Sequence, residues 1–238
     1  MTSFQQTKIG GLDCLQRVAH ESKPSLILLH GYGADCRDLA GLVPALSLPN
    51  DFNYFFPNAP LEAPYTAGGR AWFPIDMQKL ELAMRSGEPR YFDDTVPGGM
   101  DTAARDNARF LKSLPVDLSK AAIGGFSQGS MVSSHAVIGH RLPSALLIQL
   151  SGAMAGHATL DPTSSLVKSV FQSHGRADSV LPFYGAQALA EWFVKNNFQH
   201  ELIEFDGGHE IPLHVISALK TRILQQTTQA EVQDTISL

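Results

Sequence analysis

Short apolar runs alternate along this chain with longer amphipathic stretches. Six apolar runs are predicted to form buried strands, and they are the segments SLILLH, NYFF, KAAIGG, LPSALLIQLSG, SVFQSHG and HELIEFDGG. Among the stretches between them, one helical stripe has spacings of four, four and three and consists of Met100, Ala104, Ala108 and Leu111. Strands that alternate with helices predict the α/β class, with a mostly parallel central sheet and helices on both faces.

The same periodicity predicts three further helices. Their apolar positions are Leu39, Leu42, Val43 and Leu46 in the first and Ala186, Leu189 and Phe193 in the second, while the third follows Pro212. No repeat, linker or shift of composition divides the chain, so residues 1–238 are predicted to form a single domain. Residues 61–99 are a long excursion rich in proline, glycine and charge, which is expected to serve as a lid or substrate groove. The polar tail, residues 227–238, is expected to fray.

Composition excludes several classes of function. The chain has 44% hydrophobic and 17% charged residues and a net charge of -5, with no run of lysine or arginine, so nucleic acid is not an expected partner. The N-terminal segment MTSFQQTKIGG has no secretory pattern, and no apolar run approaches the roughly 18 residues of a membrane span. Cys14 and Cys36 have no metal-ligand spacing and are expected to be reduced thiols in a cytoplasmic protein.

The pentapeptide Gly125-Phe126-Ser127-Gln128-Gly129 stands between a predicted strand and a predicted helix. A serine at such a turn adopts a strained backbone that presents its hydroxyl outward. Glycines two positions before and after the serine remove side chains that would collide with each other and with the neighbouring strand. The pattern also fits a glycine-rich structural turn, but its position favours Ser127 as a nucleophile.

A serine nucleophile needs a general base, usually a histidine held by a carboxylate, and here the expected chain order is serine, acid, histidine. Asp178 in SHGRADSVLP and His209 in GGHEIP each follow a predicted strand, and the carboxyl ends of parallel strands share one edge of the sheet. We therefore predict them as partners of Ser127, with Asp161 as the reserve carboxylate. Other histidines fit less well. His135 and His140 lie inside a predicted helix, His20 and His200 lack a glycine turn, and His30 precedes the serine.

The reaction of an acyl group with serine also needs hydrogen-bond donors for the oxyanion that forms. The predicted donors are the backbone N–H groups of Gln128, which opens the helix after the nucleophile, and of Tyr32, in the glycine-rich loop after SLILLH. A zinc site at His209 and His214 is rejected, since these residues are five positions apart with a proline between them and the helical zinc motif needs four. No metal is expected.

The segments LHGYGAD, FPNAP, AWFPID, GFSQGS, HGRADSVLP and GGHEIP resemble, in the same order, successive blocks of the phospholipase/carboxylesterase family of α/β hydrolases. That family includes bacterial carboxylesterases and acyl-protein thioesterases, and the resemblance covers about residues 23–220. It implies an α/β-hydrolase fold and a serine esterase without metal or organic cofactor. By matching position, it implies Ser127 as the nucleophile, Asp178 as the orienting acid and His209 as the base. It also implies Tyr32 and Gln128 as the oxyanion donors, and Trp72 and Leu181 as residues of an acyl-binding groove.

The chain departs from the family pattern near the acyl groove. Pro74 stands where members often have aspartate, Ser130 where they often have glycine, and residues 76–97 look longer than in compact members. The large apolar side chains of this region, Trp72 among them, could also be loop anchors in the core. The leading prediction is a serine carboxylesterase that hydrolyses the carboxylic ester or thioester bond of a small-molecule or acylated substrate through an acyl-enzyme on Ser127. The alternatives are a thioesterase or lysophospholipase for long acyl chains, a non-catalytic α/β binding module and a peptidase of the same fold.

Overall fold

The computed structural model describes residues 3–64, 66–75 and 96–236, with side chains described up to residue 228. Most of the predicted lid therefore lies outside the described residues, and so do two of its large aromatic residues, Tyr91 and Phe92. Its beginning, residues 61–75, and its end, residues 96–99, belong to the described part of the chain.

Within the described part of the chain, the central sheet has eight strands in the order β1-β2-β4-β3-β7-β8-β9-β10. The first two pairings are antiparallel, and the pairings from β4 onward are parallel. A second, two-stranded antiparallel sheet joins β5 to β6. The strands are β1 (Gln5–Ile9), β2 (Leu12–Arg17), β3 (Ser25–Leu29), β4 (Asn53–Pro57), β5 (Leu61–Glu62), β6 (Arg70–Ala71), β7 (Ala121–Phe126), β8 (Leu146–Leu150), β9 (Ser169–Gly175) and β10 (Gln199–Phe205).

The helices follow the predicted stripes, with one difference. The stripe from Leu39 to Leu46 forms two short helices, because Gly41 ends the first and Pro44, which lacks an N–H, is accepted only in the first turn of the second. The α-helices are α1 (Cys36–Ala40), α2 (Val43–Leu46), α3 (Met100–Lys112), α4 (Gln128–Gly139), α5 (Phe183–Lys195) and α6 (Leu213–Ile236), and short 3₁₀ turns cover Leu118–Lys120, His157–Thr159 and Pro162–Ser164. Among the described residues, no helix is long and apolar enough to cross a membrane.

Side chains of each central strand alternate between two hydrophobic cores. In β3, Ile27 and Leu29 join the core beneath α3, α4 and α5, whereas Leu26 and Leu28 join the core beneath α1, α2 and α6. All five residues of β3 are buried, as expected for a strand covered on both faces. The predicted α/β architecture, a mostly parallel sheet with helices on both faces, is confirmed.

The sequence analysis missed the N-terminal hairpin of β1 and β2. The turn is Gly10-Gly11, whose φ angles of +57° and +96° suit a tight two-residue hairpin. Side chains of β1 are half-buried or exposed, so the apolar signal of this edge strand is weak. The glycine pair was the signal that could have identified the hairpin.

Two further segments differ from the expectation. The beginning of the excursion contains the β5–β6 pair, in which Leu61 pairs with Ala71. The final helix continues through Ile236, past Thr227, where the chain was expected to fray. Thr227 is 2% exposed and its hydroxyl donates to the Ile223 carbonyl at 2.9 Å, so the helix is still packed at this residue.

Candidate active site

Ser127 lies between β7 and α4 with φ 54° and ψ -120°, a strained conformation for a non-glycine residue. Its N–H donates to the Leu150 carbonyl at 2.8 Å, which ties the turn to the end of β8. A Cβ on Gly129 would collide with the backbone carbonyls of Leu29 and His30, and one on Gly125 would collide with Leu29 and with Gly129 itself. The two glycines are therefore required by the close approach of the turn to β3.

Asp178 and His209 follow the ends of the neighbouring parallel strands β9 and β10. His209 Nδ1 lies 2.6 Å from Asp178 Oδ2. The other carboxylate oxygen, Oδ1, accepts from the backbone N–H groups of Val180 and Leu181, each at 2.8 Å. The Asp178 side chain is fully buried and that of His209 is 16% exposed, so the imidazole alone is open to solvent.

The surroundings of Asp178 favour its charged form. Burial pushes the pKa of this carboxyl upward, but the hydrogen bond and charge of His209 and the Leu181 and Val180 amides outweigh burial and leave the pKa below its usual value. An ionised Asp178 beside Nδ1 keeps the proton on that nitrogen and leaves Nε2 available as a base.

Ser127 and His209 line the same cavity, whose volume is about 300 Å³. The His209 ring also packs against the Phe126 ring, with 4.7 Å between centroids, so the imidazole lies beside the residue that immediately precedes Ser127. Tyr32, Gln128 and Leu181, three more predicted site residues, belong to the same lining. The rest of the wall is mostly apolar and includes Phe73, Ile75, Met131 and Val180.

The loop after β3 carries Tyr32 and is held by His30. Burial lowers the pKa of His30 despite its hydrogen bond to Gly31, so the ring is neutral. Its Nδ1 donates to the Gly31 carbonyl at 2.7 Å, and its Nε2 accepts from the Ala59 N–H at 3.1 Å. A Cβ on Gly31 would lie 3.1 Å from the Phe126 ring and 3.4 Å from Ser127 Cβ. His30 thus shapes a loop that packs directly on the serine turn.

Trp72 is not among the described residues that line this cavity, whereas the resemblance implies that it lines an acyl-binding groove. The residue is 2% exposed, and its indole N–H donates to the His30 carbonyl at 2.8 Å. Its ring packs on the His30 ring with 5.2 Å between centroids. Because its indole N–H finds an acceptor in the core, Trp72 anchors the loop, and Phe73 and Ile75 face the cavity instead.

The side chain of Gln128 joins two segments of the chain. Its Oε1 accepts from the Trp72 N–H and its Nε2 donates to the Phe73 carbonyl, both at 2.8 Å. The residue next to the nucleophile therefore holds the strand-like segment that contributes Phe73 to the cavity. The sequence shows only a glutamine at the first position of a predicted helix. Its burial and its tertiary partners reveal this role.

The reserve candidates lie elsewhere. Asp161 is exposed and begins a 3₁₀ turn, where it accepts from the Thr163 N–H at 3.0 Å. His135 is buried in α4 and bonds the Ala155 carbonyl at 2.7 Å, and His200 bonds Gln172 at 2.7 Å. None of these side chains is part of the cavity lining.

A mostly parallel sheet that carries a serine on a strand-turn-helix elbow, with an acid and a histidine after later strands, defines the α/β-hydrolase class. The sequence pattern described as Phospholipase/Carboxylesterase matches residues 14–226. The chain belongs to this family, as the sequence analysis predicted. It is a hydrolase of the serine class, and the family supports activity on ester or thioester bonds.

Individual relatives agree with this assignment. The chain is 29% identical over 201 residues to acyl-protein thioesterase 1 of Debaryomyces hansenii, covering 77% of this chain and 83% of the relative. It is 30% identical over 198 residues to acyl-protein thioesterase 1 of Candida albicans, covering 75% and 80%. The crystal structure of esterase PE8 superposes with a TM-score of 0.76 at 25% identity, covering 94% of this chain and all of the other. Acyl-protein thioesterase 2 of Zea mays, at 22% identity and a TM-score of 0.68 over 90% of this chain and 98% of the other, shares the fold.

Proposed function

We propose that this protein is a serine carboxylesterase that cleaves carboxylic esters or thioesters through an acyl-enzyme on Ser127. The observation that carries the proposal is the 2.6 Å contact between His209 Nδ1 and Asp178 Oδ2 at the wall of the cavity that Ser127 also lines. Asp178 is buried and its carboxyl has a lowered pKa, which suits a group that orients a catalytic imidazole and stabilises its protonated form.

In the proposed reaction, Ser127 Oγ attacks the acyl carbon while His209 Nε2 takes the hydroxyl proton. The oxyanion of the tetrahedral intermediate accepts from the backbone N–H of Gln128, in the first turn of α4, and from that of Tyr32 in the loop after β3. The intermediate collapses and releases an alcohol or thiol, which receives the proton from His209. Water then attacks the acyl-enzyme while His209 takes its proton. The acyl–Oγ bond breaks, His209 returns the proton to Ser127 Oγ, and the carboxylic acid leaves.

The cavity wall indicates which part of the substrate it holds. Phe73, Ile75, Met131 and Leu181 give it an apolar surface, which suits the acyl chain rather than a charged leaving group. Relatives of this chain are named as thioesterases and as an esterase, so the proposal includes thioesters as well as esters as substrates. A cytoplasmic location is part of the proposal, since Cys14 and Cys36 are both buried free thiols.

A fluorophosphonate probe followed by intact-mass measurement tests the nucleophile. The wild-type protein should gain one adduct, and Ser127→Ala should gain none. Ser151→Ala is the matched control, because Ser151 also follows a central strand with a positive φ, 46°, and should leave labelling unchanged. A folded wild-type protein that stays unlabelled would favour the non-catalytic binding module, and an adduct that survives in Ser127→Ala would place the nucleophile elsewhere.

A series of p-nitrophenyl esters and matched thioesters of increasing acyl length then ranks the substrates. The proposal expects activity with at least one of the two series and its loss in Ser127→Ala. A preference for the longest chains would favour the thioesterase or lysophospholipase alternative over a short-chain esterase.

A further inference from the structure

A second histidine contacts the carboxylate of Asp178. His174, at the end of β9, has its Nε2 atom 3.3 Å from Asp178 Oδ2, the same oxygen that contacts His209 Nδ1. The same Nε2 atom lies 2.7 Å from the Leu181 carbonyl oxygen. The side chains of His174 and Asp178 are both fully buried. Nothing in the proposed reaction uses this residue.

The contacts fix the protonation of the His174 ring. Nε2 faces two oxygen acceptors, so Nε2 carries the hydrogen. Burial lowers the pKa of His174 and outweighs the opposite effects of the Leu181 carbonyl and of Asp178, so the ring is neutral. His174 is therefore a neutral donor to the Asp178 region and not a second base.

The same contacts close a ring around the loop that follows β9. Leu181 gives its N–H to Asp178 Oδ1 at 2.8 Å and receives the Nε2 hydrogen of His174 on its carbonyl. Leu181 is also part of the cavity wall. His174 thus connects the position of the carboxylate to the position of a substrate-facing residue.

Few other groups act electrostatically on this arrangement. Among the described residues, the titratable groups that face Asp178 are His209 and His174, and those that face His174 are Asp178 and His209. From α5, the Phe183 ring packs 6.1 Å from the His174 ring and carries no charge. Within the described part of the chain, these three side chains are therefore the titratable groups of the arrangement.

We propose that His174 is a positioning residue, whose Nε2–H donates to the Leu181 carbonyl beside Asp178 Oδ2 and thereby holds the carboxylate in register with His209. The inference rests on the proposed function, because it concerns the same triad. The Nε2–H dipole, with Nε2 3.3 Å from Oδ2, also offsets part of the negative charge on that oxygen. We therefore expect His174 to influence the acid limb of the pH–activity profile.

The test measures kcat/KM against pH for His174→Phe, which keeps a ring of similar size and removes the donor. The acid limb of kcat/KM reports the base of the free enzyme. We expect its midpoint to move upward by roughly half a pH unit, because without the Nε2–H dipole less of the negative charge on Asp178 Oδ2 is offset. We expect kcat to fall about tenfold, the scale of losing one hydrogen bond that positions the carboxylate. His174→Gln, whose amide N–H can replace Nε2–H, should restore most of both values.

His135→Phe is the matched control. His135 is another buried, neutral histidine with an Nε2 bond to a backbone carbonyl at 2.7 Å, but it has no bond to a carboxylate. It should lower thermal stability without moving the acid limb. If His174→Phe does not fold, His174→Asn replaces it, since the shorter amide does not reach the position of Nε2.

The outcomes separate the two proposals. An unlabelled, inactive wild-type protein means that the proposed function fails. An active wild-type protein whose acid limb is unchanged in the folded His174 variant, or moves equally in His135→Phe, overturns the role of His174 alone. The same holds if His174→Gln behaves like His174→Phe.

Discussion

The two halves of the site are held by different forces. On one side, Ser127 keeps a strained backbone because Gly125 and Gly129 leave no Cβ between the turn and β3. On the other side, Asp178 and His209 are held by a chain of hydrogen bonds with distances of 2.6 to 2.8 Å. The serine side thus depends on the absence of side chains, and the acid-histidine side on the presence of specific donors and acceptors.

The difference has a consequence for how each half responds to substitution. Adding one methyl group to the serine turn disturbs the fold, because backbone atoms of β3 cannot move away. Changing one acceptor into a donor on the other side leaves the shape intact and alters which nitrogen of His209 carries the hydrogen. Steric exclusion is not confined to the serine side, since a Cβ on Gly175 would collide with the carbonyls of Gly207 and Gly208.

The largest effect is expected from Asp178→Asn, which breaks the hydrogen-bonded half. An amide that keeps its oxygen toward Val180 and Leu181 presents NH₂ to His209, so the imidazole places its proton on Nε2 and loses its function as a base. We expect kcat for ester hydrolysis to fall by about 10³ to 10⁴-fold, with unfolding little changed. Asp161→Asn, the exposed carboxylate after β8, is the control and should keep full activity. A loss below about tenfold would contradict the assigned role of Asp178.

Gly129→Ala breaks the steric half and ranks second. The added Cβ would overlap the backbone carbonyls of Leu29 and His30, so we expect the free energy of unfolding to fall by about 3 kcal/mol in urea titrations. Gly98→Ala is the control, because no atom of the described residues lies within 4 Å of its added Cβ and its stability should change by less than about 1 kcal/mol. Equal stability of the two variants would show that the turn does not need the space at Gly129.

The smallest effect is expected where the Gln128 side chain connects the serine turn to the cavity wall. Gln128→Ala keeps the backbone N–H but leaves the Trp72 N–H and the Phe73 carbonyl without their partner. We expect a loss of about 1 to 2 kcal/mol in unfolding free energy and a several-fold rise in KM for apolar esters, because Phe73 lines the cavity.

Gln172→Ala is the control for that variant. Gln172 is also a buried glutamine, and it donates to the Ala186 carbonyl at 2.8 Å, but it does not line the cavity. It should lower stability with KM unchanged. If both variants raise KM equally, the increase comes from a general loss of stability and not from displacement of the segment that carries Phe73.

Much of the architecture could be read from local patterns. The apolar runs identified the parallel strands, because a strand covered on both faces is apolar at nearly every position, as β3 is. The edge hairpin of β1 and β2 was missed for the opposite reason: its side chains are partly exposed, and only Gly10-Gly11 marks it. The split at Gly41 and Pro44 was visible in the sequence, but the continuous stripe from Leu39 to Leu46 masked it.

The sequence by itself determined the glycines that flank Ser127 and the order of Ser127, Asp178 and His209, because the glycine pattern is visible within five residues and parallel strands end at one edge. Only the tertiary structure decided that Trp72 turns into the core, that the Gln128 side chain holds the Phe73 segment, and that His174 contacts Asp178. Those roles depend on which acceptor each polar group meets after folding. The partners of Trp72 and Gln128 lie dozens of positions away, and Asp178, though only four positions on, faces His174 because the loop after β9 folds back.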